Sequence, residues 1–160
     1  MSSSGAKLAL MILLMGCGQR GATSDAGLGP SDGGPSAALG YVAVQVRRCG
    51  DCHQSWNPAD GILSGQTMPV KDTQSYGSNL TPDPDTGMDA WDAGSIASAI
   101  LDGVDDQGNP LCAMPHWAES GMTMDEAFDI ASYLQTLPPV RHVVPASTCA
   151  STTAAADAAR

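Results

Sequence analysis

Apolar and polar positions alternate with helical spacing most clearly in the last third of this chain. In "TMDEAFDIASYLQTLPP", Ala127, Ile130, Leu134 and Leu137 make one apolar stripe, Thr123 and Glu126 form a capping box, and Pro138-Pro139 end the element. "DAGSIASAILDGV" predicts another helix, with Asp92 as N-cap, Ile96, Ala99 and Ile100 on one face, and Gly103 as its stop. "LGYVAVQVRRCGDCH" predicts a first helix that ends near two cysteines, and its β-branched content also allows a strand. Long Gly/Pro/Asp-rich loops separate these elements. Loops of that length in a small domain need something to pack against, and a large apolar cofactor would supply it.

Towards the N-terminus the helical pattern gives way. Lys7 is followed by an apolar run, Leu8 to Met15, too short to span a bilayer but suited to the apolar region of an export signal. The end of that run, Leu14-Met15-Gly16-Cys17, resembles the bacterial lipobox. That resemblance implies cleavage after residue 16 and a mature chain held to a membrane by acyl chains on Cys17. An ordinary secretory signal with a coincidental cysteine is the other reading. Residues 18–38 hold six Gly, two Pro and three Ser with almost nothing apolar. They predict a disordered tether with an r.m.s. span of about 25 Å. The expected division is a signal over 1–16, lipidated Cys17 and tether over 17–39, a folded domain over 40–140, and an irregular Ala/Ser/Thr-rich tail over 141–160.

Composition narrows the picture. With 160 residues, one Phe, three Trp and three Tyr, a single domain with a modest core is the most the chain can build. Such a domain commonly needs a metal, a cofactor or disulfides to close its core, and five cysteines keep all three available. The net charge is −10, or −11 once Lys7 is removed with the signal. Between Asp72 and Asp129 there are twelve acidic side chains and no Lys or Arg. Nucleic acid is thereby an unsuitable partner, because phosphate neutralisation needs a basic face. The acidic surface keeps the protein soluble, and it would steer association with a basic protein partner in a salt-dependent way.

"CGDCH", residues 49 to 53, is the segment with chemistry. Cysteines at this spacing serve zinc binding, dithiol–disulfide exchange or covalent haem attachment. Exchange would call for a βαβ context, and an exported dithiol meets oxidants. Zinc has a four-ligand set in Cys49, Cys52, Cys112 and His116, but leaves His53 and Met114 without roles. Haem uses both: the two thiols add to vinyl groups, and the adjoining His53 donates a ring nitrogen to iron. A second axial ligand is expected from a separate loop. Met114, 61 residues after His53 and stiffened by Pro115, is the first choice, with Met68 and His116 as competitors. Paired with imidazole, a thioether ligand raises the reduction potential and suits electron transfer.

In order along the chain stand "CGDCH", "SNLTPDPDTGMDAW", "AILDGVDDQG", "AMPHW" and "ASYLQTLPP". From about Gly40 to Pro139 this series resembles a monohaem domain of the class I cytochrome c superfamily. It is most similar to the domains in cytochrome subunits of membrane-bound bacterial alcohol and aldehyde dehydrogenases. The resemblance implies an all-α fold of three main helices and long loops around one covalent haem c. It implies haem attachment at Cys49 and Cys52, iron ligation by His53 and Met114, and a pocket-lining loop that includes Asn79 and Thr81. It also implies that Gly40-Tyr41 meet Tyr133 where the first and last helices cross.

Two departures follow. Those subunits have several haem sites, whereas this chain has one and would pass single electrons without an internal relay. With Cys17 given to lipid and Cys49 and Cys52 to haem, Cys112 and Cys149 remain. A disulfide between them would tie the tail to the methionine loop and stabilise by about 2–4 kcal/mol. The expectation is an extracytoplasmic, lipid-anchored electron carrier, periplasm-facing or on the cell surface, with redox proteins as partners, no small-molecule substrate and no catalysis of its own. A zinc-stabilised binding module and a haem sensor or peroxidase-like protein with an open sixth site are the alternatives.

Overall fold

A computed structural model of the chain describes residues 33–71 and 73–148. The first helix, α1 (Ala37–Val46), starts at Ser36, whose hydroxyl accepts the Leu39 N–H. The Ser36 N–H itself donates to Asp129 Oδ1 at 2.6 Å. Residues 36–39, assigned to the tether, are thus folded into the start of α1, because a serine cap and a carboxylate 93 residues away hold them. Helix, not strand, forms over this β-branched stretch. Gly40, Ala43 and Val44 make its buried side, and tertiary packing of that side outweighs the weak helix propensity of valine.

After Val46 the chain turns through Arg48, at φ +58°, into the single turn α2 (Gly50–His53). Helix α3 (Ala93–Asp102) begins at Asp92, whose carboxylate accepts the Ser95 N–H at 2.7 Å, and stops at left-handed Gly103, as expected. Helix α4 (Met124–Leu134) begins at Thr123, whose hydroxyl accepts the Glu126 N–H at 3.2 Å. Only half of the expected capping box forms, since the Glu126 carboxylate turns away to Arg47. Among the described residues the regular structure is otherwise two short 3-10 turns, Pro58–Asp60 and Trp117–Ser120, and one isolated bridge between Val104 and Pro110. None of the described helices is long and apolar enough to cross a membrane.

The core gathers Val44 of α1, Ile96, Ile100 and Leu101 of α3, and Ala127, Ile130, Ala131 and Leu134 of α4, with Met122 beside them. Helix α4 packs against α1 and α3. At Gly40 the approach of α1 to α4 is so close that an added Cβ would stand 1.9 Å from the Asp129 carbonyl oxygen. One residue on, the Tyr41 and Tyr133 rings meet edge to face, 5.5 Å between centroids. The crossing is thus built from Gly40, Tyr41 and Tyr133.

A polar network holds the long loop between α2 and α3. Asn79 Oδ1 accepts from the Thr81 N–H and hydroxyl, while its amide donates to the Val140 carbonyl at 2.7 Å and to Thr86 Oγ1 at 3.1 Å. Thr86 in turn donates its hydroxyl to Asp83 Oδ1 at 2.7 Å. That hydrogen bond is the main reason the Asp83 carboxyl titrates below its usual range. The segment 141–148 is irregular but fastened. The His142 N–H donates to Thr86 Oγ1 and its Nδ1–H to the Ser64 carbonyl, while Ser147 Oγ accepts the Tyr76 N–H.

Two outcomes follow from the α1–α4 contact. Gly40→Ala should cost about 3 kcal/mol, because backbone stands where the methyl would go; chemical denaturation measures it. The hydrogen bond from Arg47 is the main cause that lowers the Glu126 pKa, so its stabilisation is present above the ordinary glutamate range and is lost as pH falls through the lowered value. The melting-temperature advantage of the natural chain over Glu126→Gln should therefore be full at pH 7 and vanish in acid. An advantage that does not shrink as the pH falls below the ordinary glutamate range would contradict this.

Candidate functional site

The pentapeptide Cys49–His53 is wound as one helical turn. The Cys52 and His53 amides both reach the Cys49 carbonyl, at 3.3 and 3.0 Å. Winding puts residues i, i+3 and i+4, which are Cys49, Cys52 and His53, on one face. That face looks into a cavity of about 640 Å³, a size suited to a large organic ligand. Val44, Leu80, Trp91, Ile96, Ile100 and Leu134 contribute to its apolar wall. The two formally charged side chains at the wall are each paired, Arg48 with Asp51 at 2.7 Å and Asp85 with Arg141 at 3.6 Å.

Burial sets the protonation of the turn. It is the main cause that raises the Cys49 and Cys52 pKa values above the ordinary thiol value, so both are neutral thiols at pH 7. Burial also lowers the His53 pKa, against the opposing effect of its bond to Ser78. His53 Nδ1 lies 2.9 Å from the Ser78 carbonyl oxygen. A carbonyl only accepts, so Nδ1 carries the proton and Nε2 keeps its lone pair for a ligand. The loop that supplies Ser78 lies flush against the turn: a Cβ on Gly77 would stand 1.8 Å from the Cys52 carbonyl oxygen.

Met114 lines the same cavity and packs against the core. Ala113 before it has φ +58°, a left-handed conformation that an L-residue adopts only when its surroundings hold it. The loop is held by a Leu111 N–H bond to the Gly103 carbonyl at 2.7 Å and by a disulfide at Cys112. Cys149, the expected partner of Cys112, lies outside the described residues, as do Cys17 and the signal segment.

The competing ligands stand elsewhere. Met68 is 58% exposed and is not among the lining residues. His116 packs its ring over Gly103, where a Cβ would meet Cδ2 at 2.6 Å, and its Nδ1 lies 3.8 Å from Glu119. Cys112, in a disulfide, offers no thiolate, and no group of three His, Cys, Asp or Glu among the described residues is placed to hold a metal ion. The four-ligand zinc set is therefore not assembled.

The two loop residues separate. Asn79 lines the cavity, but its side chain is committed to Thr81, Thr86 and Val140. Thr81, fully buried, does not line the cavity; it accepts the Val140 N–H at 3.1 Å and supports the loop from behind. Both shape the wall through the backbone they fix. Sequence reasoning missed the part of the wall where Val143, Val144 and Pro145 of the tail line the cavity. The apolar triplet in an otherwise Ala/Ser/Thr-rich stretch was the available signal. It also missed Arg47, whose guanidinium lies over Trp117 with 5.6 Å from Cζ to the ring centroid.

No family model matches the chain. One subunit of the nicotinate dehydrogenase of Pseudomonas putida is 29% identical to it over 121 residues. The match covers 74% of this chain and 10% of that protein, so the chain spans about a tenth of the length of the relative.

Proposed function

We propose that this chain is a one-electron carrier that holds a single covalent haem c in the cavity, with His53 and Met114 as the axial ligands. The observation that carries the reading is the convergence of Cys49, Cys52, His53 and Met114 on one apolar cavity of about 640 Å³. The residues fit the group: two thiols and an imidazole share one face of a turn, and the walls are apolar. Bound there, the iron would supply reversible one-electron oxidation and reduction.

The chain's own residues do the rest. Cys49 and Cys52 would hold the group through thioether links, formed by net addition of each S–H across a vinyl group without an oxidant. The Ser78 carbonyl fixes the His53 tautomer and makes Nε2 a stronger donor. Met114 would offer its thioether to the iron from the cavity wall, and with the apolar lining would favour the reduced state. Met114 at the wall argues against an open sixth site of the sensor or peroxidase kind.

A redox role exercised with a protein partner also agrees with the relative's name, a dehydrogenase subunit. On this reading the partner presents a basic face to the acidic surface. Export and a lipid anchor at Cys17 would place the domain outside the cytoplasm, on a bacterial membrane.

The test is the absorption spectrum and potential of the chain exported by a host with haem-attachment machinery. The natural chain should show a sharp c-type reduced spectrum and the weak far-red ferric band of sulfur–iron ligation. Met114→Ala should lose that band, lower the potential and bind carbon monoxide when reduced. An unchanged spectrum in Met114→Ala would overturn the ligand assignment, and a colourless natural chain would overturn the function.

A further inference from the structure

Arg47 occupies a junction that none of the roles above requires. It is the C-cap of α1, two residues before Cys49. Its Nε and Nη2 donate to the two carboxylate oxygens of Glu126 at 2.8 and 2.7 Å, a two-pronged bond to the first turn of α4. Its guanidinium carbon lies over the Trp117 ring, 5.6 Å from the centroid, within cation–π range. Trp117 lines the cavity and opens the 3-10 turn that follows Met114-Pro115-His116. The Trp117 carbonyl accepts the Met122 N–H at 3.1 Å, which closes that turn directly before Thr123.

One planar cation therefore joins the segment that delivers Cys49, the loop that delivers Met114, and the start of α4. The pair is mostly withdrawn from water, with the two side chains 21% and 26% exposed, unlike the freely solvated pairs that contribute little. Glu126 also forgoes the return bond to Thr123 that a full capping box would use. Lysine could supply the charge but neither the fork nor the stacking face.

We propose that Arg47 is a positioning residue for the sixth ligand: by clamping Trp117 and Glu126 it fixes the Met114 loop relative to the Cys49–His53 turn, and so sets how firmly the Met114 sulfur stays on iron. This role rests on the haem reading given above. The loop has other fastenings at Leu111, Cys112 and His116. Arg47 is the fastening that comes from the segment carrying the attachment cysteines.

The experiment uses the full haem-loaded chain and follows the far-red ferric band from neutral to alkaline pH, with carbon monoxide binding by the reduced protein and the melting temperature alongside. Arg47→Ala should weaken retention of the sulfur ligand by about tenfold, which moves loss of the band down by about one pH unit, and carbon monoxide binding should rise. Arg47→Lys and Glu126→Gln, milder changes, should shift both readouts in the same direction by less, and serve if Arg47→Ala does not fold. Tyr41→Leu is the control, since it loosens the same α1–α4 contact away from Trp117. It should lower the melting temperature and leave the band in place. Retention of the band over the natural pH range in the Arg47 variants overturns the role alone, as does an equal shift in Tyr41→Leu at equal loss of stability. A natural chain with haem but without the band overturns the Met114 assignment and this role with it.

Discussion

Two helices meet backbone to backbone at Gly40, and the rest of the site depends on that contact. No side chain fits between α1 and the Asp129 carbonyl, so the crossing is fixed within the tolerance of atomic radii. Once α1 is seated, its C-terminal end fixes where the chain can turn through Arg48 into Cys49. Once α4 is seated, its first turn fixes where the preceding loop, with Met114 and Trp117, can run. Ser36 on Asp129, Tyr41 on Tyr133 and Arg47 on Glu126 then fasten the same two helices along the length of α1. The cysteine turn and the methionine loop are thereby set relative to each other by elements distant in sequence.

Electrostatics divides the molecule into a neutral interior and an acidic exterior. At the cavity, burial holds two thiols and an imidazole in their uncharged forms, and the charges at the wall are paired. Such a lining suits a large apolar group. The twelve acids between Asp72 and Asp129 stand in a stretch without a Lys or Arg, and of these Glu126 and Asp85 pair with Arg47 and Arg141 from outside it.

Local sequence carried the helices because their signals are local. Asp92 and Gly103 bound α3 as their residue types require, and Thr123 caps α4. The cysteine turn was legible for the same reason, since five consecutive residues hold its chemistry. What failed to show were interactions between distant residues. Glu126 satisfied the capping pattern but found a stronger partner in Arg47, 79 positions away. Ser36 looked like linker until Asp129 supplied its bond. Thr81 stood next to a wall residue and faced Val140 instead. The tail read as irregular, but over 141–148 its valines and the bonds of His142 and Ser147 make it part of the cavity wall. No composition rule ranks Met114 above Met68; burial does.

The central claim is that Cys49 and Cys52 carry a haem, and mass spectrometry of the exported chain tests it most directly. The account predicts an intact mass increased by one haem that survives denaturation in acid, with the added mass confined to the peptide that contains residues 49–53. An intact chain with no added mass, and with Cys49 and Cys52 both open to alkylation after export through competent haem-attachment machinery, would contradict it.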